Sequence, residues 1–306
     1  LGGEIYIGCS NGELLRFTFQ SNGPDEPPSY TILSRQTLPT GKQIDEIVLL
    51  PSIWRAIVLS DHQLYFFALP ALQLSSIKPI RNVITFAVDH QHLIKPTPSH
   101  SRSSPEPVEF CVIKRNSIAL YSLFEQLIYR KDIPYAPGVT LARRWGKYLC
   151  VADKENYSMI NLEVASNLPV LPLSQTMDPT PFTVQPHITV VAPQEFFVLS
   201  WTGLGTLGLF LTGEGDPVRG TLEWNSHPDS LCFDYPYIAA LMPDETIEIR
   251  DIETKQLVQT VPEPPKEDTT SRRLRLVSVL GRYLVPAGHD AAKLGKTSVS
   301  LLRNSE

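Results

Sequence analysis

Three glycines at positions 203, 205 and 208 have the Gly-x-Gly-x-x-Gly spacing of a dinucleotide-binding turn. In such a site the pyrophosphate lies at the N-terminus of a helix that follows a strand. A strand is predicted at 195–201, but the residues after Gly208 read LFLTGEGDP and favour a second strand over a helix. We therefore predict no bound cofactor. Gly203 and Gly205 are interpreted as hairpin-turn residues, and Gly208 as a bulge or a close backbone approach.

The remaining residues that could do chemistry form no recognisable site. His90 and His92 would face the same side of a strand, as two metal ligands could, but no third ligand can be assigned from the sequence. We interpret them as exposed loop residues and predict no metal site. The chain has no nucleophile motif GxSxG, no HExxH and no phosphate-binding loop. The sequence therefore predicts a protein that is not an enzyme.

Composition restricts the possible partners. The chain has 306 residues, of which 42% are hydrophobic and 19% charged, with a net charge of −5 and a pI near 5.8. This balance predicts a globular protein without nucleic-acid binding, since nucleic-acid binders carry a basic face. The four cysteines form no CxxC pair and each lies in an apolar run, which favours buried, reduced thiols and a cytoplasmic location. They are Cys9, Cys111, Cys150 and Cys232.

Two basic clusters and the absence of a long apolar run bear on membranes and partners. No run of about 18 apolar residues occurs, so we expect membrane association only through partners. Arg143 and Arg144 alternate on a predicted strand, which predicts opposite faces and contact with solvent. The second cluster follows a loop with acidic residues and is the candidate for a surface contact, with an acidic partner or a lipid head group. It comprises Arg272, Arg273 and Arg275.

Short apolar runs separated by turns organise the whole chain. Residues 44–78 give four such runs with two-residue connections, which is typical of an up-and-down antiparallel sheet. Similar units recur at 4–37, 81–131, 139–173, 181–224, 231–261 and 274–302. This repeat predicts an all-β fold, a single seven-bladed β-propeller over residues 1–306 without the WD dipeptide pattern. Strands from the two ends would share one blade. Two β-sandwich domains are the alternative.

Several segments resemble one known family. EIYIGCSNGELLRF at 4–17 and EFCVIKRNSIALYSL at 109–123 are similar to hairpins of the citron-homology domain. The segments 202–210, 218–224 and 236–261 resemble its late blades. The resemblance is strongest to the N-terminal domains of the family of the TGF-β-receptor-associated protein and the Rab-binding subunit three of the CORVET complex. The sister subunit of the HOPS complex resembles the chain almost as strongly.

The resemblance implies a binding module without catalytic residues. Members sit at one end of a larger subunit built mostly as an α-solenoid, with other tethering-complex subunits as partners. They engage a GTP-bound Rab GTPase, of the early-endosomal type here, in endosome tethering, membrane fusion and vacuolar protein sorting. The implied location is cytoplasmic, peripheral on endosome or vacuole membranes. A citron-homology scaffold domain beside a kinase or a Rho exchange factor is the alternative setting.

Overall fold

Strands account for nearly all regular structure in the computed structural model of the chain. The described residues are 4–20, 29–94 and 106–263, together with strands at 277–279, 282–286 and 296–300. Helical structure in these ranges is limited to a 3₁₀ turn, Pro51–Ile53, and one short helix, α1 (His90–Leu93). No helix in the described part of the chain is long and apolar enough to span a bilayer.

The first four sheets hold the strands up to residue 172, and each described pairing of neighbouring strands in them is antiparallel. The first sheet contains β1 (Glu4–Gly8), β2 (Glu13–Gln20) and β3 (Ser29–Thr37). The second contains β4 (Ile44–Leu50), β5 (Arg55–Ser60), β6 (Gln63–Ala68), β7 (Gln73–Leu74) and β8 (Ile80–Arg81). The third contains β9 (Thr85–Val88), β10 (Val108–Ile113), β11 (Ser117–Leu123) and β12 (Leu127–Pro134). The fourth contains β13 (Leu141–Trp145), β14 (Tyr148–Ala152), β15 (Asn156–Asn161) and β16 (Ser166–Pro172).

The remaining strands form three more antiparallel sheets. The fifth sheet contains β17 (Ile188–Ala192), β18 (Glu195–Trp201), β19 (Thr206–Thr212) and β20 (Leu222–Trp224). The sixth contains β21 (Ser230–Asp234), β22 (Tyr237–Leu241), β23 (Ile247–Asp251) and β24 (Leu257–Val261). The last contains β25 (Val277–Val279), β26 (Arg282–Pro286) and β27 (Lys296–Ser300).

The structure corrects the predicted number of blades from seven to six. Six sheets follow one another between Glu4 and Val261, and each is one blade. Counting strand runs alone assigned the last three strands to a seventh blade. They pair in a separate three-stranded sheet that takes no strand from the first sheet. The predicted blade shared by the two ends is therefore not formed among the described residues, because it needs hydrogen bonds between strands of both ends.

The chain divides into two compact units, each with its own core. One unit comprises residues 1–153 and 160–167, and the other comprises 154–159 and 168–306. In the first unit the rings of Phe66 and Phe110 lie 6.3 Å apart within a large apolar cluster. In the second, the Phe197 ring packs against that of Phe210 at 4.7 Å. The prediction of a single domain over residues 1–306 stays a prediction.

The structure contradicts one predicted strand, at the start of the fifth sheet. The predicted unit 181–224 opens with the run PFTVQP (181–186) as its first strand, but this run has no regular structure, and Ile188–Ala192 provides the first strand of the fifth sheet instead. Pro181 and Pro186 have no N–H to donate to a neighbouring strand, which is why this run does not pair. The connection from β16 to β17 consequently covers residues 173–187.

Candidate interaction surface

Most of the connection between β16 and β17 lies in residues 174–187, and this segment is ordered where it begins because it extends the fifth sheet. The backbone N–H of Gln175 donates to the Trp201 carbonyl at 2.7 Å, and the Trp201 N–H donates to the Leu173 carbonyl at 2.8 Å. The Gln175 side chain also donates from Nε2 to the Ser200 hydroxyl at 3.0 Å. These bonds run as a short parallel pairing beside the end of β18. The first residues of the connection therefore have a fixed position.

Two histidines fix the other end of the connection, and we call His187 and His227 the histidine clasp. His187 Nε2 lies 2.9 Å from the Pro228 carbonyl oxygen, and His227 Nε2 lies 2.8 Å from that of Gln185. The ring centroids are 5.5 Å apart. Because a carbonyl only accepts, each Nε2 must carry the proton. His227 Nδ1 then accepts from the Thr206 hydroxyl, at 3.1 Å.

Burial keeps the histidine clasp uncharged. It lowers the pKa of His187 to about 4, with a further contribution from the neighbouring His227. Burial also lowers the pKa of His227, although the bond to the Gln185 carbonyl and the charge of Asp229 act in the opposite direction. A protonated imidazole would lose solvation here without gaining an adjacent carboxylate partner in direct contact. The clasp is therefore neutral at physiological pH.

Aromatic contacts complete the anchoring of the connection. The buried Tyr157 donates its hydroxyl hydrogen to the Leu199 carbonyl at 2.8 Å and accepts from the His187 N–H at 3.0 Å. The Phe182 ring meets the Trp201 ring edge-on at 5.3 Å and lies 6.2 Å from the His227 ring. A long connection without secondary structure is thus held at several points along its length, a feature that often marks function.

This ordered connection exposes large apolar side chains next to the turn between β18 and β19. Met177 is fully exposed, Leu204 is 93% exposed and Phe182 is 39% exposed. Thr176, which precedes Met177, contacts the turn at Gly203. Phe182 packs on Trp201, close to the same turn. We call Met177, Phe182 and Leu204 together the apolar loop surface.

The first two glycines of the triplet shape the tip that carries Leu204. The Thr202 N–H donates to the Gly205 carbonyl at 2.8 Å, and the Gly205 N–H donates to the Thr202 hydroxyl at 3.2 Å, which closes the turn. Gly203 has a φ of +100°, and a Cβ there would lie 3.3 Å from Thr176. A Cβ on Gly205 would come within 2.6 Å of the Trp224 carbonyl oxygen. Both positions therefore require glycine.

Gly208 has a different reason for lacking a side chain. It lies within β19 opposite Leu199, in an uninterrupted register without a bulge. A Cβ at this position would overlap the aromatic ring of Phe197, so the close approach is made by a core ring and not by backbone. The chain continues as strand to Thr212. No helix begins at this turn that could receive a pyrophosphate.

His90 and His92, the pair considered as metal ligands, lie on α1. The Asp89 carboxylate caps this helix by accepting from the Gln91 N–H at 3.2 Å. Burial lowers the pKa of His90, whose ring centroid lies 5.8 Å from that of Trp145. In the ranges that the structure describes, no three His, Cys, Asp or Glu side chains are arranged to hold a metal ion. His90 therefore takes part in the packing of α1 on β13.

The expectation that Arg144 is solvated is wrong. Its Nη2 lies 2.7 Å from the Glu109 carboxylate and 3.8 Å from Asp89, and its Nε donates to the Gly146 carbonyl at 2.7 Å. Asp89 in turn accepts from the Gly146 N–H at 3.0 Å. The side chain is buried because these partners satisfy its charge. We call Arg144, Asp89, Glu109 and Gly146 the Arg144 junction.

The other predicted positions have simpler outcomes. Arg143 lies on the opposite face of β13, as expected, and forms a half-exposed ion pair with Glu46 at 3.2 Å. All four cysteines are free thiols; Cys111 and Cys150 are buried, whereas Cys9 and Cys232 are half-buried. The candidate partner-binding cluster lies outside the described residues. It comprises Arg272, Arg273 and Arg275.

Comparison with solved structures defines the class of fold. The chain is similar to the AfRom2 CNH domain with a TM-score of 0.56 at 17% identity, over 99% of this chain and 95% of that one. It is also similar to the WD40 β-propeller domain of Doa1 with a TM-score of 0.57 at 13% identity, over 94% of this chain and 86% of that one. At these identities the similarity concerns the fold alone. The chain is a β-propeller.

A family model identifies the group of propellers more closely. The model of the VPS3 N-terminal domain matches residues 1–263, so the chain belongs to the VPS3 N-terminal domain family. Vacuolar protein sorting-associated protein 3 of Saccharomyces cerevisiae is 25% identical over 280 residues, 84% of this chain and 25% of that protein. The Schizosaccharomyces pombe protein of the same name is 17% identical, over 84% of this chain and 27% of its own length. The chain thus spans about a quarter of these relatives.

Proposed function

We propose that the chain is the non-catalytic binding module of an endosomal or vacuolar tethering-complex subunit, and that it recognises a GTP-bound Rab GTPase. The observation that carries this proposal is the family match over residues 1–263, with relatives named for vacuolar protein sorting. The glycine pair Gly203 and Gly205, which precedes LGLF at 207–210, favours a CORVET-type subunit over its HOPS counterpart. Its place would be peripheral on endosome or vacuole membranes, reached through partners.

The geometry supports a binding role because it offers an ordered surface with exposed apolar side chains. The apolar loop surface is held by backbone hydrogen bonds and by the histidine clasp. Buried Arg144 is paired with Glu109 and Asp89, and both histidines of the clasp are bonded to backbone carbonyls. Binding modules work through such pre-organised surfaces, which lose little conformational entropy when a partner docks.

A panel of purified Rab GTPases tests the proposal. Each would be immobilised in turn with GDP and with a non-hydrolysable GTP analogue, and the retained chain would be measured. We expect retention by an early-endosomal Rab in the GTP-analogue state and at least tenfold less in the GDP state. Preference for a late-endosomal or vacuolar Rab would favour the HOPS-type assignment. Equal retention in both states, or none across the panel, contradicts the proposal.

A further inference from the structure

We propose that the apolar loop surface, Met177, Phe182 and Leu204, is the docking surface for the GTP-bound Rab. This assignment rests on the proposed function and adds where on the chain the GTPase binds. It replaces the arginine cluster at 272–275 as the expected contact.

Charged residues are sparse in the two segments that carry the apolar loop surface. Asp178 is the single charged residue in 174–187 and in the turn 202–205, whereas charged residues make up 19% of the chain. Threonines 176, 180 and 202 supply polar, uncharged neighbours. Depletion of charge together with Met and aromatic residues is the composition of the centre of a protein interface. An anionic membrane or a nucleic acid would instead require a basic surface.

The apolar loop surface is also held rigidly. Leu204 projects from a turn between Gly203, whose φ of +100° strains any other residue, and Gly205, where a Cβ would lie 2.6 Å from the Trp224 carbonyl oxygen. Phe182 is fixed between the Trp201 and His227 rings. Because the backbone is fixed, these apolar side chains stay in contact with water in the free chain, which is unfavourable. A partner that covers them removes this unfavourable contact.

A rigid apolar surface suits a GTPase in its GTP state. The switch segments of a GTPase are ordered by the γ-phosphate and its Mg²⁺ and are released when GTP is hydrolysed. A fixed surface binds an ordered switch well and gains little from a disordered one, which must first lose its conformational entropy. A surface of this kind can therefore distinguish the two nucleotide states without any contact with the nucleotide.

Other exposed apolar residues are placed differently. Ile128 and Tyr129 lie on the outer strand β12 beside the charged run Arg130–Asp132. Val164, which is 70% exposed, stands in a turn between glutamate and small residues. Neither site combines several apolar side chains with an uncharged, anchored loop. Val164 therefore supplies a matched control, as an apolar side chain exposed on a turn outside the proposed surface.

The test measures binding of three variants to an early-endosomal Rab loaded with a non-hydrolysable GTP analogue, by titration calorimetry. Leu204→Ser and Met177→Gln each remove an exposed apolar side chain, and Val164→Ser is the control. We expect the Kd to rise at least tenfold for L204S and for M177Q and to change less than twofold for V164S. The thermal midpoints of all three should match that of the unaltered chain, because none of these side chains is buried.

The outcomes separate this assignment from the proposed function. If the unaltered chain binds the Rab and both L204S and M177Q retain its affinity, the assignment is wrong and the proposed function stands. If the unaltered chain binds no Rab in either nucleotide state, the proposed function fails and the assignment fails with it. A loss of affinity in V164S equal to that in L204S would also overturn the assignment, because the effect would then follow general surface polarity.

Discussion

The Arg144 junction and the histidine clasp perform the same structural task with opposite chemistry. Each holds a connection that leaves a sheet: α1 in the first case and residues 174–187 in the second. At the junction a buried guanidinium meets two carboxylates. At the clasp two neutral imidazoles donate to backbone carbonyls. A connection can thus be fixed either by paired charge or by neutral hydrogen bonds.

The difference between the two sites determines whether the nearby protein surface is charged or apolar. Glu109, one carboxylate of the junction, is half exposed and keeps charge at the surface. The clasp brings no charge with it, so the surface above it can be apolar. The clasp, however, depends on imidazoles that acid can protonate, whereas an arginine stays charged at any accessible pH. The two sites should therefore respond differently to mutation and to pH.

The largest expected loss of stability follows substitution at the Arg144 junction. Arg144→Met leaves the buried Asp89 carboxylate without its cation, which costs about 4 kcal/mol when one partner of a buried pair is removed. We expect the urea midpoint to fall accordingly. Arg143→Met is the control on the next residue, since its pair with Glu46 is half exposed and contributes less than about 1 kcal/mol. Equal effects in the two variants would mean that the buried pairs of Arg144 contribute no more to the free energy of unfolding than the half-exposed pair of Arg143.

The second prediction concerns packing below the turn that carries Leu204. Gly208→Ala would drive a methyl group into the Phe197 ring, and we expect a loss of about 2 kcal/mol in unfolding free energy from overpacking. Gly41→Ala is the comparison, since a Cβ there meets nothing within 4 Å and only its positive φ is unfavourable. Denaturant unfolding of both variants checks this. A smaller loss for G208A than for G41A would contradict it.

Local pattern was sufficient to predict the repeating hairpins. The four runs expected in 44–78 correspond to β4, β5, β6 and β7. Each is an apolar stretch bounded by turn residues, and such a stretch can be predicted as a strand from its local sequence alone. The turn at Gly203 and Gly205 was predictable for the same reason. The number of blades was not, because it depends on which sheets the strands of the two ends join.

The ordered connection and the buried arginine could not be predicted, since both depend on residues distant in sequence. The local pattern of residues 181–186 predicts a strand, although the two prolines disfavour one. The segment is held in place by contacts with His227 and Trp201. Arg144 resembles a surface arginine of an alternating strand. Its partner Asp89 lies on a different sheet connection, so no local spacing links the two. Exposure of Met177 follows from the same distant anchoring.

The third prediction tests the clasp by pH. The pKa of His187 is about 4 in the folded chain, below the ordinary value near 6.5, so the unfolded chain takes up protons first as the pH falls. The contribution to stability is complete above pH 6.5 and is lost as the pH falls toward 4. We expect a loss of about 2 kcal/mol between pH 7 and pH 5. The double variant His187→Gln/His227→Gln should lose less over this range; an unchanged slope would contradict the assignment.

The smallest expected effect separates charge from hydrogen bonding at the junction. Asp89→Asn keeps an oxygen that can accept from the Gly146 and Gln91 N–H groups, and it removes only the charge that lies 3.8 Å from Arg144. Because Glu109 still pairs with the guanidinium at 2.7 Å, we expect a loss of about 1 kcal/mol or less. Asp89→Ala, which also removes the acceptor, should cost about twice as much. A loss of stability in D89N as large as that in R144M would show that charge alone holds the junction. The junction would then depend only on charge, whereas the clasp depends only on neutral hydrogen bonds.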